Sequence, residues 1–363
     1  MSYAIIKIGG SLLESHKSYL EVANYIKEFK RNSNKQPFVV VSALKETTDL
    51  LINAFNKKDR SILDEFSQKY LDVAYNFGDN KLVVSINEQL NKLYKFFLYN
   101  LNYGILLSFG EKISKLILSY ALEINDLKVK EISAEDYIIS DENQGDAAAD
   151  LEATKINLMN LVKILNGDEI PIIEGFIAKS HKGNVTTLGR GGSDNTASII
   201  AYSINAGSIY LVTDVPGIFT SDPKIVKNVK IVKELSYEEG IEASNYKVKG
   251  LNHKTFLPLI NTNIKVFIGK WNNFNTVIHN ESRINGKIKL IGYKQDNNGY
   301  CLGLIGKGIE KEKFGEKIKN ALAYNNSYQI ISDNSRPSVS IRISKENFIN
   351  TINYLHEVLI GDE

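Results

Sequence analysis

Short β-branched runs alternate along the chain with longer stretches whose apolar positions recur every three or four residues. Tyr3–Ile8 reads as a strand, Gly9–Ser11 as a turn and Tyr19–Lys30 as a helix. Pro37–Ser42, with Phe-Val-Val-Val between a proline and a serine, reads as a strand buried on both faces. From about Thr47 to Leu101 the period is helical: Leu50, Leu51, Ala54 and Phe55, then Leu63, Phe66, Tyr70, Leu71 and Val73, keep the spacing of one helix face. Strands return at Ile170–Glu174, Ile209–Thr213 and Ile264–Ile268, with a helix at Asp194–Ile204 between the first two. Such alternation predicts an α/β fold, a mostly parallel sheet between helices, with the helical excursion at one end of it.

The pattern changes after an Asn- and Gly-rich stretch at Trp271–Gly286. Residues 288–306 read as paired strands around Asp296-Asn297-Asn298-Gly299, Lys311–Tyr324 as an amphipathic helix, Ser338–Ile343 as a strand and Asn347–Leu359 as a final helix. The expected division is a large α/β domain at 1–282 and a small α+β module at 283–363.

Composition narrows the function classes. The 363 residues are 43% apolar and 24% charged, enough for two cores and a solvated surface. Lys and Arg number 44 against 42 Asp and Glu, a net charge of +2, so no broad basic field points to nucleic acid or to an anionic membrane. Cys301 is the single cysteine, which rules out an intrachain disulfide and a Cys metal cluster and agrees with a reducing cytosol. The five histidines show no metal-ligand spacing. A lysine at position 7 followed by Gly-Gly does not resemble a secretory leader, and no run reaches the roughly 18 apolar residues of a membrane span. A cytoplasmic protein is expected.

Three segments carry candidate chemistry. In Lys7-Ile8-Gly9-Gly10-Ser11, two glycines after a strand let backbone N–H groups approach an anion and Lys7 adds a full charge, although Gly-Gly there also makes a plain tight turn. In Thr186–Ala197, three glycines flank Arg190, and Ser193-Asp194 can open a helix; a glycine nest, a helix N-terminus and a guanidinium together suit a carboxylate or a phosphate. In Val212-Thr213-Asp214-Val215-Pro216-Gly217-Ile218-Phe219, followed by Ser221-Asp222-Pro223-Lys224, turns follow the carboxyl end of a strand, where open α/β sheets bind ligands.

In this order the segments resemble the amino-acid kinase superfamily and, within it, the aspartate kinases. Val39–Ala43 with Thr47–Leu51 is similar to that family's second strand and helix entry, Ser108-Phe109-Gly110-Glu111-Lys112-Ile113-Ser114 to its Gly-Glu-x-x-Ser element, and Thr187–Ala197 to its longest signature. Ser236–Glu239 and Lys247–Lys249 follow about where the family has their counterparts, and the likeness runs from residue 3 to about 278. The resemblance implies roles. Lys7, Gly9, Gly10 and Ser11 would hold the ATP phosphates, and Thr213, Asp214, Phe219, Lys224 and Lys249 the rest of the nucleotide. Ser42, Thr48, Glu111, Arg190 and Ser193 would hold L-aspartate, with Lys7, Arg190 and Asp194 around the transferred group and Mg²⁺ arriving with ATP; the resemblance does not assign the Mg²⁺ ligands. Phe219 and Lys224 stand where the family has Tyr and Arg, and Lys254 where it has Pro after His253. Counting back from His253, the family's lysine falls on Gly250, so its role passes to Lys249 by a one-residue slip.

A carboxylate acceptor, with a pKa of about 3.9, is already ionised at neutral pH and needs no base, so the absence of histidine from these motifs is no objection. A same-scaffold kinase acting on a hydroxyl such as that of homoserine is the near alternative, and a non-catalytic amino-acid sensor the distant one. Residues 300–360 resemble an ACT domain, with room for one unit plus fragments, whether it binds an amino acid or only joins subunits. Its strand edges suggest pairing into a homodimer or a larger homo-oligomer.

Overall fold

The computed structural model describes residues 2–99, 102–281, 286–297, 299–309, 316, 318–320, 322, 328–332 and 336–360. Packing divides the chain into two units, Met1–Asp214 and Val215–Glu363.

The first unit runs β1 (Tyr3–Ile8), α1 (His16–Asn32), β2 (Gln36–Val41), α2 (Thr47–Lys57), α3 (Ser61–Phe77), α4 (Asn80–Tyr99), α5 (Tyr103–Glu123), β3 (Val129–Ile132), α6 (Ala134–Tyr137), β4 (Ile139–Ser140), α7 (Leu151–Ile164), β5 (Ile170–Glu174), β6 (Ile177–Ser180), β7 (Val185–Thr187), α8 (Gly192–Ser203) and β8 (Ser208–Val212). Strands β3, β5, β2, β1 and β8 lie side by side in that order, every neighbouring pair parallel. Parallel strands covered on both faces need continuous apolar runs. Ile5, Ile6 and Ile8 of β1 and Phe38–Val41 of β2 are accordingly shut off from solvent. β1 has β2 on one side and the much later β8 on the other. The order reverses at β1, and the segments leaving β1, β2 and β8 open along one carboxyl edge.

The expected helical excursion is α2, α3 and α4, with Leu51, Ala54, Leu63, Phe66, Tyr70 and Val73 buried. Tyr70 ties it to the sheet: its hydroxyl accepts from the Leu44 N–H at 3.1 Å and donates to the Gly110 carbonyl at 2.8 Å. Helix α5 is apolar nearly all round and buried over most of its length, as a helix enclosed by its own domain must be. One buried ion pair was not expected. Lys115 of α5 lies 2.7 Å from Glu174 at the end of β5, whose other oxygen accepts from the Ala134 N–H at 2.9 Å.

The second unit contains β9 (Glu234–Ser236), α9 (Tyr237–Asn245), α10 (His253–Phe256), β10 (Lys265–Lys270), β11 (Asn273–His279), β12 (Leu290–Asp296), β13 (Gly299–Ile305), β14 (Tyr328–Ser332), β15 (Ser338–Ile343) and α11 (Phe348–Ile360). β10 and β11 form an antiparallel hairpin, with β9 parallel to β11. β12, β13, β15 and β14 make an antiparallel sheet, and Phe348, Ile352 and Leu355 of α11 share its core with Ile291, Leu302 and Ile341. This is the expected α+β arrangement. Most of the helix expected at 311–324, the boundary at 282–283, Asn298 of the expected turn and Asp333 lie outside the described residues. No helix among the described residues is long and apolar enough to cross a membrane.

Removing one member of a buried ion pair strands the other. Lys115→Met should destabilise the protein by about 3–5 kcal/mol, and adding Glu174→Gln should recover part of that loss. Urea unfolding of both variants checks this, and a Lys115→Met cost below about 1 kcal/mol would contradict it.

Candidate active site

Lys7 is the penultimate residue of β1, and the turn after it, Gly10–Leu12, is a single 3₁₀ turn. The Gly9 N–H donates to the Val212 carbonyl at 3.1 Å, fastening the turn to β8. A Cβ on Gly10 would stand 2.8 Å from the Ala43 carbonyl, so glycine alone lets this turn lie against the segment after β2. At the end of β8, Asp214 accepts hydrogen bonds from the Ser11 hydroxyl at 2.9 Å and the Thr213 hydroxyl at 3.1 Å.

The glycine-rich segment approaches from the other side. Gly189 and Gly191 have φ of 75° and 72°, the left-handed region glycine adopts without strain, and they turn the chain into α8. Asp194 lies in the first turn of α8, where the helix dipole favours an anion. Its Oδ1 is 2.7 Å from Lys7 Nζ, the two side chains being 14% and 22% exposed on opposite members of the pair. Arg190 is exposed and lines a cavity with Lys7 and Asp194.

Glu111, on α5, is the third charged group. It is 3% exposed, and one carboxylate oxygen, Oε2, has no hydrogen-bond partner among the described residues. Burial pushes its carboxyl up to about 8, with a smaller contribution from the Glu174 charge; its own amide and that of Ala43 pull the other way. A buried carboxyl with an unfilled oxygen is suited to a cation donor such as an ammonium group.

Lys7, Gly10, Ser11, Ser42, Thr48, Glu111, Arg190, Ser193 and Asp194 line one cavity of about 810 Å³ within the first unit. Nine of the residues singled out in the sequence therefore meet in one place. Gly9 lies behind the turn, bonded to Val212, and Thr213 and Asp214 close the end of β8. Phe219, Lys224 and Lys249 belong to the second unit. Phe219 is half-buried and bridged antiparallel to Ile231. The Lys224 side chain is exposed, its backbone N–H donating to Asp222 Oδ1 at 3.0 Å, and Lys249 Nζ is 3.5 Å from Asp222 Oδ2.

Sequence reading passed over Phe176, Tyr103 and Leu107 in the cavity wall. Phe176 holds φ at 70°, a conformation costly for a bulky side chain, directly after Glu174-Gly175 at the end of a strand. The glycine was the available signal for it; Tyr103 and Leu107 carried none beyond helical spacing. No group of three or more His, Cys, Asp or Glu able to hold a metal gathers among the described residues.

A family model described as the amino acid kinase family matches residues 2–270. The chain belongs to that family. Among curated relatives, a bifunctional aspartokinase/homoserine dehydrogenase of Buchnera aphidicola is 28% identical over 299 residues, covering 75% of this chain and 36% of that protein. The lysine-sensitive aspartokinase 3 of Escherichia coli is 34% identical over 165 residues, covering 45% of this chain and 36% of that protein. The chain thus spans little more than a third of the length of either relative. Its fold is similar to the crystal structure of E. coli aspartokinase III in complex with aspartate and ADP, with a TM-score of 0.75 at 24% identity, covering 98% of this chain and 83% of that one.

Because Glu111 holds its proton more tightly in the folded chain, the folded state binds more protons than the unfolded one from the ordinary value of 4.5 up to about 8. Stability should therefore fall as pH rises through that window. Glu111→Gln should flatten the slope and stabilise the ligand-free protein at pH 8 by on the order of a few kcal/mol. Urea titrations at pH 5 and pH 8 read this directly, and an unchanged slope in the variant would remove Glu111 as its source.

Proposed function

We propose that this chain is an ATP-dependent kinase that phosphorylates the side-chain carboxylate of L-aspartate, giving 4-phospho-L-aspartate, the opening step toward lysine, threonine and methionine. The observation that carries this reading is a single cavity lined by Lys7 and the glycine turn, by Arg190 and by the unsatisfied carboxyl of Glu111. An amino acid needs an anion for its ammonium and a cation for its carboxylate, and Glu111 and Arg190 supply one of each. Ser42, Thr48 and Ser193 add hydroxyls to the same wall.

Phosphoryl transfer is mostly alignment and charge neutralisation. Lys7, the amides of Gly9 and Gly10 and the Ser11 hydroxyl would take the β- and γ-phosphates. Thr213 and Asp214, and in the second unit Phe219, Lys224 and Lys249, keep the nucleotide roles that the sequence resemblance gives them. Mg²⁺ carried by the nucleotide would offset phosphate charge; Asp194 and Asp214 are the hard-oxygen donors beside the turn that suit it. The aspartate carboxylate attacks the γ-phosphorus and ADP leaves, with no proton to remove. A hydroxyl acceptor such as homoserine would need a base, and Asp194 is already paired with Lys7.

The curated relatives support the acceptor assignment by name: both are aspartokinases. The catalytic part is assigned to 1–282 and an ACT-like part to 283–363. Among the described residues no strand pairs with the outer edge of β14, and an uncovered edge is a template for another chain. A homodimer, or a larger assembly built on it, follows from that edge, in a cytoplasmic setting.

Acyl phosphates react with hydroxylamine and phosphate esters do not. ATP-dependent hydroxamate formation with aspartate is the expected result across a panel of amino acids; ATP turnover with homoserine and no hydroxamate with aspartate would overturn the assignment. Lys7→Ala should lower turnover by roughly 10²–10³-fold or more while circular dichroism stays unchanged. Sedimentation at micromolar concentration should give a dimer or larger species, and a monomer alone would refute the edge argument.

A further inference from the structure

The segment Phe219–Val226 is fastened from the C-terminal side of its own unit. The Ile291 N–H of β12 donates to the Thr220 carbonyl at 2.8 Å, and the Ser221 hydroxyl donates to the Ile291 carbonyl at 3.0 Å. Tyr293 reaches Asp222 at 3.3 Å, and Asn353 of α11 donates to the Ile225 carbonyl at 3.1 Å. Between the two elements sits a contact between side chains that are almost fully buried. His356 of α11, 2% exposed, places Nε2 2.8 Å from the hydroxyl oxygen of Thr220, 5% exposed.

The Thr220 oxygen also accepts from the Lys230 N–H at 2.9 Å, which leaves its hydroxyl both a proton and a second lone pair to share with the ring. Burial, aided by the Lys230 charge, holds His356 below its usual pKa, so the ring is neutral and Nε2 can accept. Thr220 follows Phe219 directly and stands four residues before Lys224. A slip at Thr220 would re-aim both.

We propose that His356 is a positioning residue for ATP, acting through Thr220 to hold Phe219 and Lys224 in the register that presents them to the nucleotide. The inference rests on the kinase reading above, in which Phe219 and Lys224 meet ATP. It gives the last helix a part in nucleotide binding without any contact to the reacting atoms.

The test compares the unaltered chain with His356→Ala, His356→Gln and Thr220→Val, each checked for folding by circular dichroism, with ATP and aspartate varied separately. Loss of one hydrogen bond that sets a register should raise KM for ATP by about tenfold in His356→Ala and in Thr220→Val. KM for aspartate should stay within twofold. His356→Gln, whose amide oxygen can accept from Thr220, should recover most of the ATP affinity. Thr220→Val keeps the volume and carries the test if His356→Ala does not fold. An ATP KM within twofold of the unaltered chain, or equal rises for ATP and aspartate, would overturn the proposal. Calorimetric titration of MgATP onto the unaltered chain separates the two levels: absence of binding would overturn the kinase reading and this inference with it, whereas binding that Thr220→Val leaves unchanged would overturn this inference alone.

Discussion

A lysine ammonium placed beside a glycine turn must be neutralised whenever no anion is bound there, and the pair between Lys7 and Asp194 does this at 2.7 Å. Both groups are mostly withdrawn from water, where the attraction between them is less screened than on a surface. The pair can form only if β1 and α8, far apart in sequence, are brought to one edge. The parallel sheet does that by putting β8 next to β1 directly after α8. Asp194 gains further from its place in the first turn of α8. The consequence is a lysine held pointing at the cavity before any ligand arrives. An entering polyphosphate would meet a preset cation, with an aspartate beside it that calls for a counter-charge. Arg190 in the cavity wall and a divalent ion on the nucleotide are the groups able to provide that.

Two buried glutamates show how environment sets the role of identical side chains. Glu174 is 2% exposed and fully engaged, by Lys115 on one oxygen and the Ala134 N–H on the other, so it is a structural anion. Glu111 is buried to a similar degree but has an oxygen with no partner among the described residues and a carboxyl pushed up to about 8. The charge of Glu174 adds to that push. An ammonium arriving at Glu111 would restore its ionised form and release a proton. Affinity for such a ligand is then linked to pH in a way that a satisfied carboxylate could not produce.

The strands of the main sheet were legible because their burial on both faces forces unbroken apolar runs. Tyr3–Ile8 and Ile170–Glu174 stand within the expected bounds, and Ser338–Ile343 of the antiparallel sheet was marked by alternation instead. The nine cavity residues were singled out through glycine, charge and order of motifs, the residue types that an anion site would use. What was missed has a different origin. Helix α5 is apolar on nearly all faces, so its period is blurred, and only its Gly-Glu-x-x-Ser element stood out. The Lys115–Glu174 pair and the Tyr70 hydroxyl bridge join positions distant in sequence, and a single chain carries no local mark of such partnerships. Phe176 at φ 70° breaks the local rule for a bulky residue, as wall residues of a site often do.

The second unit shows that a division by chemistry need not coincide with a division by packing. Val226, a few residues past the segment that the family resemblance gives to the nucleotide, is 2% exposed in the same core as Ile291, Leu302, Ile341 and Ile352. Ile225 and Val229 pack against that core. Residues 219–229 are thus held from β12 and α11, and the division by packing falls after Asp214 instead. A core is close-packed and moves between discrete arrangements more readily than it bends. Any rearrangement of the antiparallel sheet or its helix would therefore carry Thr220 and its neighbours along.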